Sequence, residues 1–270
     1  MNGALEFVLP VIRWTAFVLL ALGYGLALAY GQLQPWAVLA FALLAVAVIC
    51  IRTTQPNHVR WLGHGLFVVL AIALAAHWLP GFVNGRVIPA TRFSADAAPF
   101  TMYLNLDKPL IGFWLLLACP WVAAGVYAQR TLRVTLATLV LTTAACMTLA
   151  MFLGVVIWSP KWPDTAALWL ANNLLLVSLT EELLFRGYIQ GGLQRLFRGF
   201  AQGDTLALGC AAALFGLAHI GGGWQWMFLA TLAGVGYGVA YRWGGLPAAV
   251  LTHFGLNLAH FGLFSYPMLE

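Results

Sequence analysis

Two adjacent carboxylates and a guanidinium lie in a stretch that is otherwise apolar, the sequence EELLFR from Glu181 to Arg186. A charged side chain at the centre of a bilayer costs about 2.5–3.5 kcal/mol on insertion scales. The whole chain has only 13 basic and 8 acidic residues. A cluster of three charges in one apolar segment therefore indicates a functional site.

The spacing within EELLFR separates its charged residues into two groups. Glu182 and Arg186 are four positions apart, so on a helix they share a face and can pair. Glu181 points about 100° away from that pair around the helix. A buried carboxylate beside an ion pair suits general-base chemistry. We therefore predict that Glu181 carries the chemistry and that Glu182 and Arg186 orient it. A purely structural salt bridge is the alternative.

Two further polar motifs follow downstream. FGLAH places Phe215 and His219 four positions apart, and HFGLN places His253 and Asn257 four positions apart, with His260 on the same face. At a rise of about 1.5 Å per residue, the predicted helices bring these groups and the two glutamates to overlapping depths. A lone histidine in a membrane helix is more often a helix-contact residue. Together, however, these motifs predict one shared pocket.

The elements that must position these residues are membrane helices. The chain of 270 residues is 62% hydrophobic and 8% charged, with a mean hydropathy of +0.88, whereas soluble domains carry about 25% charged residues. A helix needs about 20 apolar residues to cross a bilayer. We predict an all-α, polytopic transmembrane helix bundle of about 8–9 spans. The nine candidate spans are 8–31, 36–51, 62–80, 109–127, 134–158, 166–190, 205–220, 225–242 and 247–264.

The basic residues lie mostly in short connections, which indicates membrane topology rather than nucleic-acid binding. With nine spans, one side carries Arg13, Arg52, Arg60, Arg130, Arg133, Arg195, Arg198 and Arg242, and the other carries Arg86, Arg92, Lys108 and Lys161. Because basic residues concentrate on the cytoplasmic side, we predict an integral, multi-pass protein with a cytoplasmic N-terminus. A bacterial inner membrane is the expected location.

The long connection at about 81–108 divides the chain in our prediction. Residues 1–160 are expected to form N-terminal transmembrane helices with this loop on the outer side, and residues 161–270 a catalytic helix core, all in one integrated bundle. The loop is a lid, an amphipathic surface segment or a plain linker. No internal repeat is visible, which disfavours a transporter built from inverted repeats.

The three motifs in this order, EExxxR, FxxxH and HxxxN, resemble those of the CPBP family. That family comprises the type II CAAX prenyl endopeptidases and the bacteriocin-processing or immunity-associated (Abi-like) intramembrane proteases. The resemblance covers about 170–262. It implies an intramembrane endopeptidase that hydrolyses a peptide bond in a membrane-associated or C-terminal-tail substrate.

The resemblance also implies a role for each motif. Glu181 would activate the attacking water, assisted by His219, and the EELLFR ion pair would hold the arrangement. His253 and Asn257 would stabilise the oxyanion that develops on the scissile carbonyl, since an imidazole and an amide N–H are suitable donors. The family has been described both as metalloproteases and as metal-free glutamic proteases. Glu181, His219 and His253 would be the ligands of a zinc ion with one position open for water. No motif is HExxH, so both mechanisms stay open.

The expected partners are membrane lipid and a peptide or protein substrate with a membrane-associated segment, and nucleic acid is not expected. Nothing in the sequence specifies prenyl recognition or the oligomeric state. Two other functions are compatible with a buried polar network. One is a non-catalytic membrane immunity or scaffold protein that keeps the motifs, and the other is a transporter with a proton relay.

Overall fold

The structure is a computed structural model, and it describes residues 3–123 and 128–270. Helices dominate the described residues, and two short strands pair in one sheet. The helices are α1 (Gly3–Ala29), α2 (Ala37–Cys50), α3 (Asn57–Ala75), α4 (Pro109–Ala118), α5 (Ala128–Phe152), α6 (Ala166–Leu196), α7 (Gly203–Leu217) and α8 (Trp224–Leu263). The strands are β1 (Gly85–Thr91) and β2 (Phe100–Leu104). The predicted helical class is confirmed in its main part, and the strands correct the expectation of an all-α chain.

Among the residues that the structure describes, four stretches of helix are long and apolar enough to cross a membrane. They are Pro10–Ala29 in α1, Asn57–Ala75, Arg130–Phe152 in α5 and Ala166–Leu196. Three further apolar helices, α2, α4 and α7, are 14, 10 and 15 residues long, shorter than the about 20 residues that a span needs. The count of 8–9 spans therefore stays a prediction.

One compact unit of the chain comprises Met1–Gly85 and Tyr103–Pro120, with α1 to α4. Just after the end of α3, His77 has a φ of 57°, which is in the left-handed region. The Trp78 N–H donates to the Ala73 carbonyl at 2.9 Å, which closes the helix end as in other left-handed caps. His77 Nδ1 lies 2.6 Å from Oδ2 of the buried Asp107. This pair ties the end of α3 to the segment before α4.

The second compact unit comprises Arg86–Met102 and Trp121–Glu270, with most of the sheet and α5 to α8. Ile88 and Met102 of the sheet pack in one cluster with Trp169 of α6 and Phe261 of α8. The rings of Trp169 and Phe261 stack at 4.0 Å. The strands lie in the predicted 81–108 loop. They escaped sequence analysis because they are seven and five residues long and the first contains Pro89, which argues against a strand.

Helix α8 contains the last two predicted spans, 225–242 and 247–264, as two helical segments on either side of a break at Gly245. Gly245 at the kink has φ 77° and ψ −176°, a conformation that residues with a Cβ rarely adopt. Upstream of the kink, a Cβ on Gly234 would lie 3.1 Å from Ala212 Cα of α7, and one on Gly238 would lie 2.8 Å from the Leu208 side chain. Gly234 and Gly238, four positions apart, thus let α7 and α8 approach closely, as small residues do in packed membrane helices.

Helix α6 changes its winding around the EELLFR motif. The stretches Asn173–Ser178 and Leu183–Gln190 are π-helical, and the α-helical Leu179–Glu182 lies between them. Such i→i+5 turns are rare and occur frequently at functional sites. The two glutamates therefore sit on one short α-helical turn between two wider ones. The predicted division of the chain at residue 160 stays a prediction.

Candidate active site

The predicted ion pair within EELLFR is present and fully buried. Glu182 Oε2 lies 3.2 Å from Arg186 Nε, and neither side chain is exposed. The other oxygen of the same carboxylate, Oε1, lies 2.8 Å from Nδ1 of His253 on α8. Glu182 therefore links an arginine of its own helix to a histidine of another.

Several groups besides Glu182 stabilise the buried guanidinium of Arg186. Its Nη2 donates to the Gly234 carbonyl of α8 at 3.0 Å. Its Cζ lies 4.6 Å from the ring centroid of Phe215 and 5.2 Å from that of Tyr237. A buried charge is costly unless it is paired and hydrogen-bonded, and aromatic faces attract cations. Arg186 thus holds α6, α7 and α8 together.

His253 lies between the two glutamates, with one ring nitrogen towards each. A carboxylate only accepts hydrogen bonds, so His253 Nδ1 carries the hydrogen that it donates to Glu182. Nε2 lies 4.0 Å from Oε2 of Glu181, which is buried as well. The ring of Tyr237 stacks on that of His253 at 4.5 Å with an interplanar angle of 12° and fixes its plane.

His219 lies just beyond the end of α7 rather than inside the predicted span. Its Nδ1 is 2.8 Å from the Phe215 carbonyl oxygen, and its ring lies 4.6 Å from the Phe215 ring. Because a carbonyl only accepts, Nδ1 is the protonated nitrogen and Nε2 of the neutral ring is an acceptor. The FxxxH spacing therefore sets the tautomer of His219 as well as its position.

Asn257 of α8 is positioned by α6. Its Nδ2 donates to Asn173 Oδ1 at 3.3 Å, and the Ser178 hydroxyl donates to the same oxygen at 3.3 Å. Asn173 and Ser178 are five positions apart and bound the first π-helical stretch of α6, whose i→i+5 geometry brings such residues onto one face. Asn257 keeps a second N–H for another acceptor.

A cavity of about 130 Å³ brings most of the predicted residues together. Its polar lining includes Glu181, His219, His253, Asn257 and His260. Much of the remaining wall is apolar and comes from α5, α7 and α8, including Met147, Phe215 and Leu229. Glu182 and Arg186 are absent from this lining and lie behind it. Glu181 therefore lies at the cavity and the Glu182–Arg186 pair behind it, and the roles predicted for them stay predictions.

Sequence reasoning missed two residues of this site. Asn173 positions Asn257, and its signal was an asparagine pair at 172–173 in an otherwise apolar helix. Tyr237 contacts both Arg186 and His253. Its signal was weak, because a tyrosine in the run of small residues from Gly234 to Gly238 is ordinary for packed membrane helices.

The arrangement does not fit the zinc site considered above. Within residues 3–123 and 128–270, no group of three His, Cys, Asp or Glu side chains is placed to hold a metal ion. The closest approach between Glu181 and His253 is 4.0 Å, whereas two ligands of one tetrahedral zinc, each at about 2.0–2.1 Å, lie about 3.3 Å apart. Glu181, His219 and His253 therefore share a cavity without forming a ligand set.

One part of the sequence matches a family model. Residues 162–259 match the family described as Type II CAAX prenyl endopeptidase Rce1-like. Over this part of the chain, which is less than half of its length, the match supports membership of the CPBP family. The Rce1-like domain spans α6, α7 and most of α8 and includes all six predicted site residues. No curated protein and no solved structure matches the chain.

The predicted resemblance is therefore confirmed. Together with the apolar helices, the Rce1-like domain identifies an integral membrane protein and supports a protease function.

Proposed function

We propose that this protein is an intramembrane endopeptidase that hydrolyses a peptide bond in a membrane-associated or C-terminal-tail substrate. The observation that carries this proposal is the cavity in which Glu181, His219, His253 and Asn257 meet inside the Rce1-like domain. A carboxylate, two imidazoles and an amide are the groups that amide hydrolysis needs for general-base catalysis and oxyanion stabilisation.

Glu181 acts as the general base of this reaction. It accepts a proton from a water molecule, while the acceptor Nε2 of His219 binds the second hydrogen of that water and orients it. The water oxygen attacks the scissile carbonyl carbon. Glu181 then passes the proton to the departing amine nitrogen as the carbon–nitrogen bond breaks. The substrate thus gains one hydroxyl and one hydrogen from the water.

His253 and Asn257 stabilise the oxyanion. Asn257 offers the N–H that Asn173 does not use. His253 donates from Nε2 only when the ring is doubly protonated, and Glu182 at 2.8 Å with Glu181 at 4.0 Å supplies the counter-charge for that form. Donors fixed in a cavity shielded from water stabilise developing charge more than the same donors in solution.

Replacement of Glu181 tests this mechanism. Glu181→Gln removes the base with little change in size, and we expect cleavage to fall by at least about 10²-fold, the lower range of a general base's contribution. His219→Ala is expected to act in the same direction. The assay compares membrane proteins that accumulate uncleaved in a deletion strain carrying each variant. Glu270→Gln, an exposed glutamate outside the cavity, is the matched control.

If the Glu181→Gln variant cleaved as fast as the wild-type protein, the Glu181 carboxylate would not be the general base. If no membrane protein accumulates uncleaved in the deletion strain, and wild-type protein and both variants restore its growth equally, the protein is a non-catalytic immunity or scaffold protein that keeps the motifs. Thermal unfolding of each variant in detergent shows that loss of cleavage is not loss of fold.

Chelation tests the metal-free form of the mechanism. Because the cavity residues do not form a zinc ligand set, we expect the protein to cleave its substrate at an unchanged rate after treatment with a zinc chelator. The rate should also stay unchanged after the chelated metal has been removed. Elemental analysis of the purified protein should find less than one zinc per chain. Activity that is lost on chelation and restored by added zinc would overturn the glutamate mechanism.

The proposed protease lies in a membrane in a defined orientation. We infer that the protein is multi-pass with 8–9 crossings, in a bacterial inner membrane, with a cytoplasmic N-terminus. The basic residues that flank the apolar helices support this orientation.

A further inference from the structure

We propose that a second site, separate from the cavity, binds the phosphate of an anionic phospholipid. It is a basic cleft of about 590 Å³ where α6 ends and α7 begins. Its charged walls are Arg195 and Arg198, Asp204 and Arg242, with Trp121 beside them. None of these residues lines the proposed catalytic cavity. The inference is independent of whether the protein cleaves peptides.

Arg195 is held in a defined orientation. Its Cζ lies 3.6 Å from the ring centroid of Trp121, so the planar guanidinium is stacked on the indole. It also covers the glycine pair at the end of α6, with Nη1 3.7 Å from where a Cβ of Gly191 would lie. The N–H donors of a guanidinium lie in its plane, and their fork matches two oxygens of a phosphate. Stacking therefore orients a phosphate-binding group.

The charges around the cleft do not cancel. Of the residues that the structure describes, three arginines and one carboxylate line it. That carboxylate, Asp204, lies 3.5 Å from Nη2 of Arg242, whose Nη1 lies 3.3 Å from the Thr205 hydroxyl. The 15-residue helix α7 begins at Gly203 with no side-chain cap, and its N-terminus adds partial positive charge. An anion with several oxygens is the complementary ligand.

Exposed apolar side chains around the cleft favour a lipid over a soluble anion. Leu196, Phe200 and Leu206 are 62%, 66% and 52% exposed. Phe200 lines the cleft, and Leu196 and Leu206 adjoin lining residues in the chain. A free phosphate would leave these surfaces unused, whereas a phospholipid fills both the basic cleft and its apolar border. Basic residues at the ends of membrane helices attract anionic lipid headgroups.

Lipid binding by the purified full-length chain tests this site. We expect native mass spectrometry in neutral detergent to show retained phosphatidylglycerol but little phosphatidylcholine. Added phosphatidylglycerol should also raise the thermal midpoint more than phosphatidylcholine does. The cleft variant combines Arg195→Gln, Arg198→Gln and Arg242→Gln, and should bind phosphatidylglycerol at least tenfold more weakly. The charge-matched control combines Arg13→Gln, Arg52→Gln and Arg133→Gln, which are exposed and outside the cleft.

Each remaining outcome counts against the site. Equal retention by the cleft variant and the wild type would overturn it, and so would equal losses in the two triple variants, which would indicate general charge attraction. Inorganic phosphate at millimolar concentration is the soluble probe. If it stabilises the protein through the cleft while phosphatidylglycerol does not, the ligand is a soluble anion and the lipid proposal is wrong. Glu181→Gln should bind lipid normally, which separates this test from that of the proposed protease.

Discussion

His253 places the two adjacent glutamates, Glu181 and Glu182, in different environments. Its Nδ1 is 2.8 Å from Glu182 and its Nε2 is 4.0 Å from Glu181, so adjacent glutamates of one helix meet opposite sides of one ring. Glu182 is further engaged by Arg186. At the scale of single residues, the site therefore consists of one carboxylate fixed by its surroundings and a second one that faces the cavity.

The buried charge of Arg186 is expected to stabilise the fold. Arg186→Met leaves the carboxylate of Glu182 buried without its cation, and breaking a buried pair in this way costs about 3–5 kcal/mol. We expect a large fall in the thermal midpoint measured in detergent. The double variant Glu182→Gln with Arg186→Met removes both charges and keeps an acceptor for His253, so it should be more stable than Arg186→Met alone.

Arg133→Met, an exposed arginine on α5, is the control and should leave the midpoint nearly unchanged. A double variant that is no more stable than the single variant would show that Arg186 stabilises the fold mainly through Phe215, Tyr237 and the Gly234 carbonyl.

Contacts between site residues were predictable from the sequence where both residues lie on one helix. The Glu182–Arg186 pair followed from spacing alone, since residues four apart share a helix face whatever packs around them. The link from Glu182 to His253 joins positions 71 apart in the chain, and nothing local encodes such a contact. The contacts of Tyr237 with Arg186 and His253 also depend on tertiary packing, so they required the structure.

At the scale of helices, the position of His219 depends on how closely α7 approaches α8. A Cβ on Gly216 would lie 1.9 Å from Thr231 Oγ1 and 2.7 Å from the Met227 carbonyl oxygen. A backbone carbonyl cannot rotate away, so the helices would have to separate. His219 follows three residues later and would move with α7.

Gly216→Ala is therefore expected to destabilise the protein by about 1–3 kcal/mol, as overpacking does elsewhere, and to reduce cleavage. Gly209→Ala is a matched control on the same helix, because its Cβ would meet nothing within 4 Å. That change should be neutral or stabilising by up to about 1 kcal/mol, since alanine is the better helix former. Equal effects of the two variants would mean that helix propensity, rather than close packing, sets the position of α7.

Helix positions were predicted better than helix irregularities. Apolar length located α6 and α7. The π-helical stretches of α6 have no signal in the apolar pattern, because they shift side chains around the helix without changing their composition. The two strands at 85–104 were missed because short strands interrupted by proline resemble loops.

At the scale of the whole molecule, the orientation depends on whether the short helices cross the membrane. Between the 81–108 segment and the connection after α6 lie α4, α5 and α6. α4 has only 10 helical residues and is followed by a short 3₁₀ turn, Pro120–Ala123. If α4, α5 and α6 all cross the membrane, the 81–108 segment and the connection after α6 lie on opposite sides of it. If only α5 and α6 cross, the two segments lie on the same side.

Cysteine labelling distinguishes these arrangements. In a background with the four native cysteines changed to alanine, we introduce Ala95→Cys in the loop or Gly199→Cys after α6, both exposed positions. An impermeant maleimide applied to intact cells should label Ala95→Cys, and should label Gly199→Cys only after the membrane is opened. Labelling of both in intact cells, or of neither, would show that α4 does not cross and would reduce the count of spans.

The winding of α6 also constrains how its sequence can vary. A π-helical turn contains one more residue than the α-helical path between the same points, so the number of residues from Asn173 to Glu181 matters as much as their identity. Losing one residue there would rotate the glutamate pair by about 100° relative to Asn173. Apolar substitutions in this stretch are tolerable in principle, but insertions and deletions are not. A relative that shared the motifs but had a different spacing in α6 would not be expected to build the same cavity.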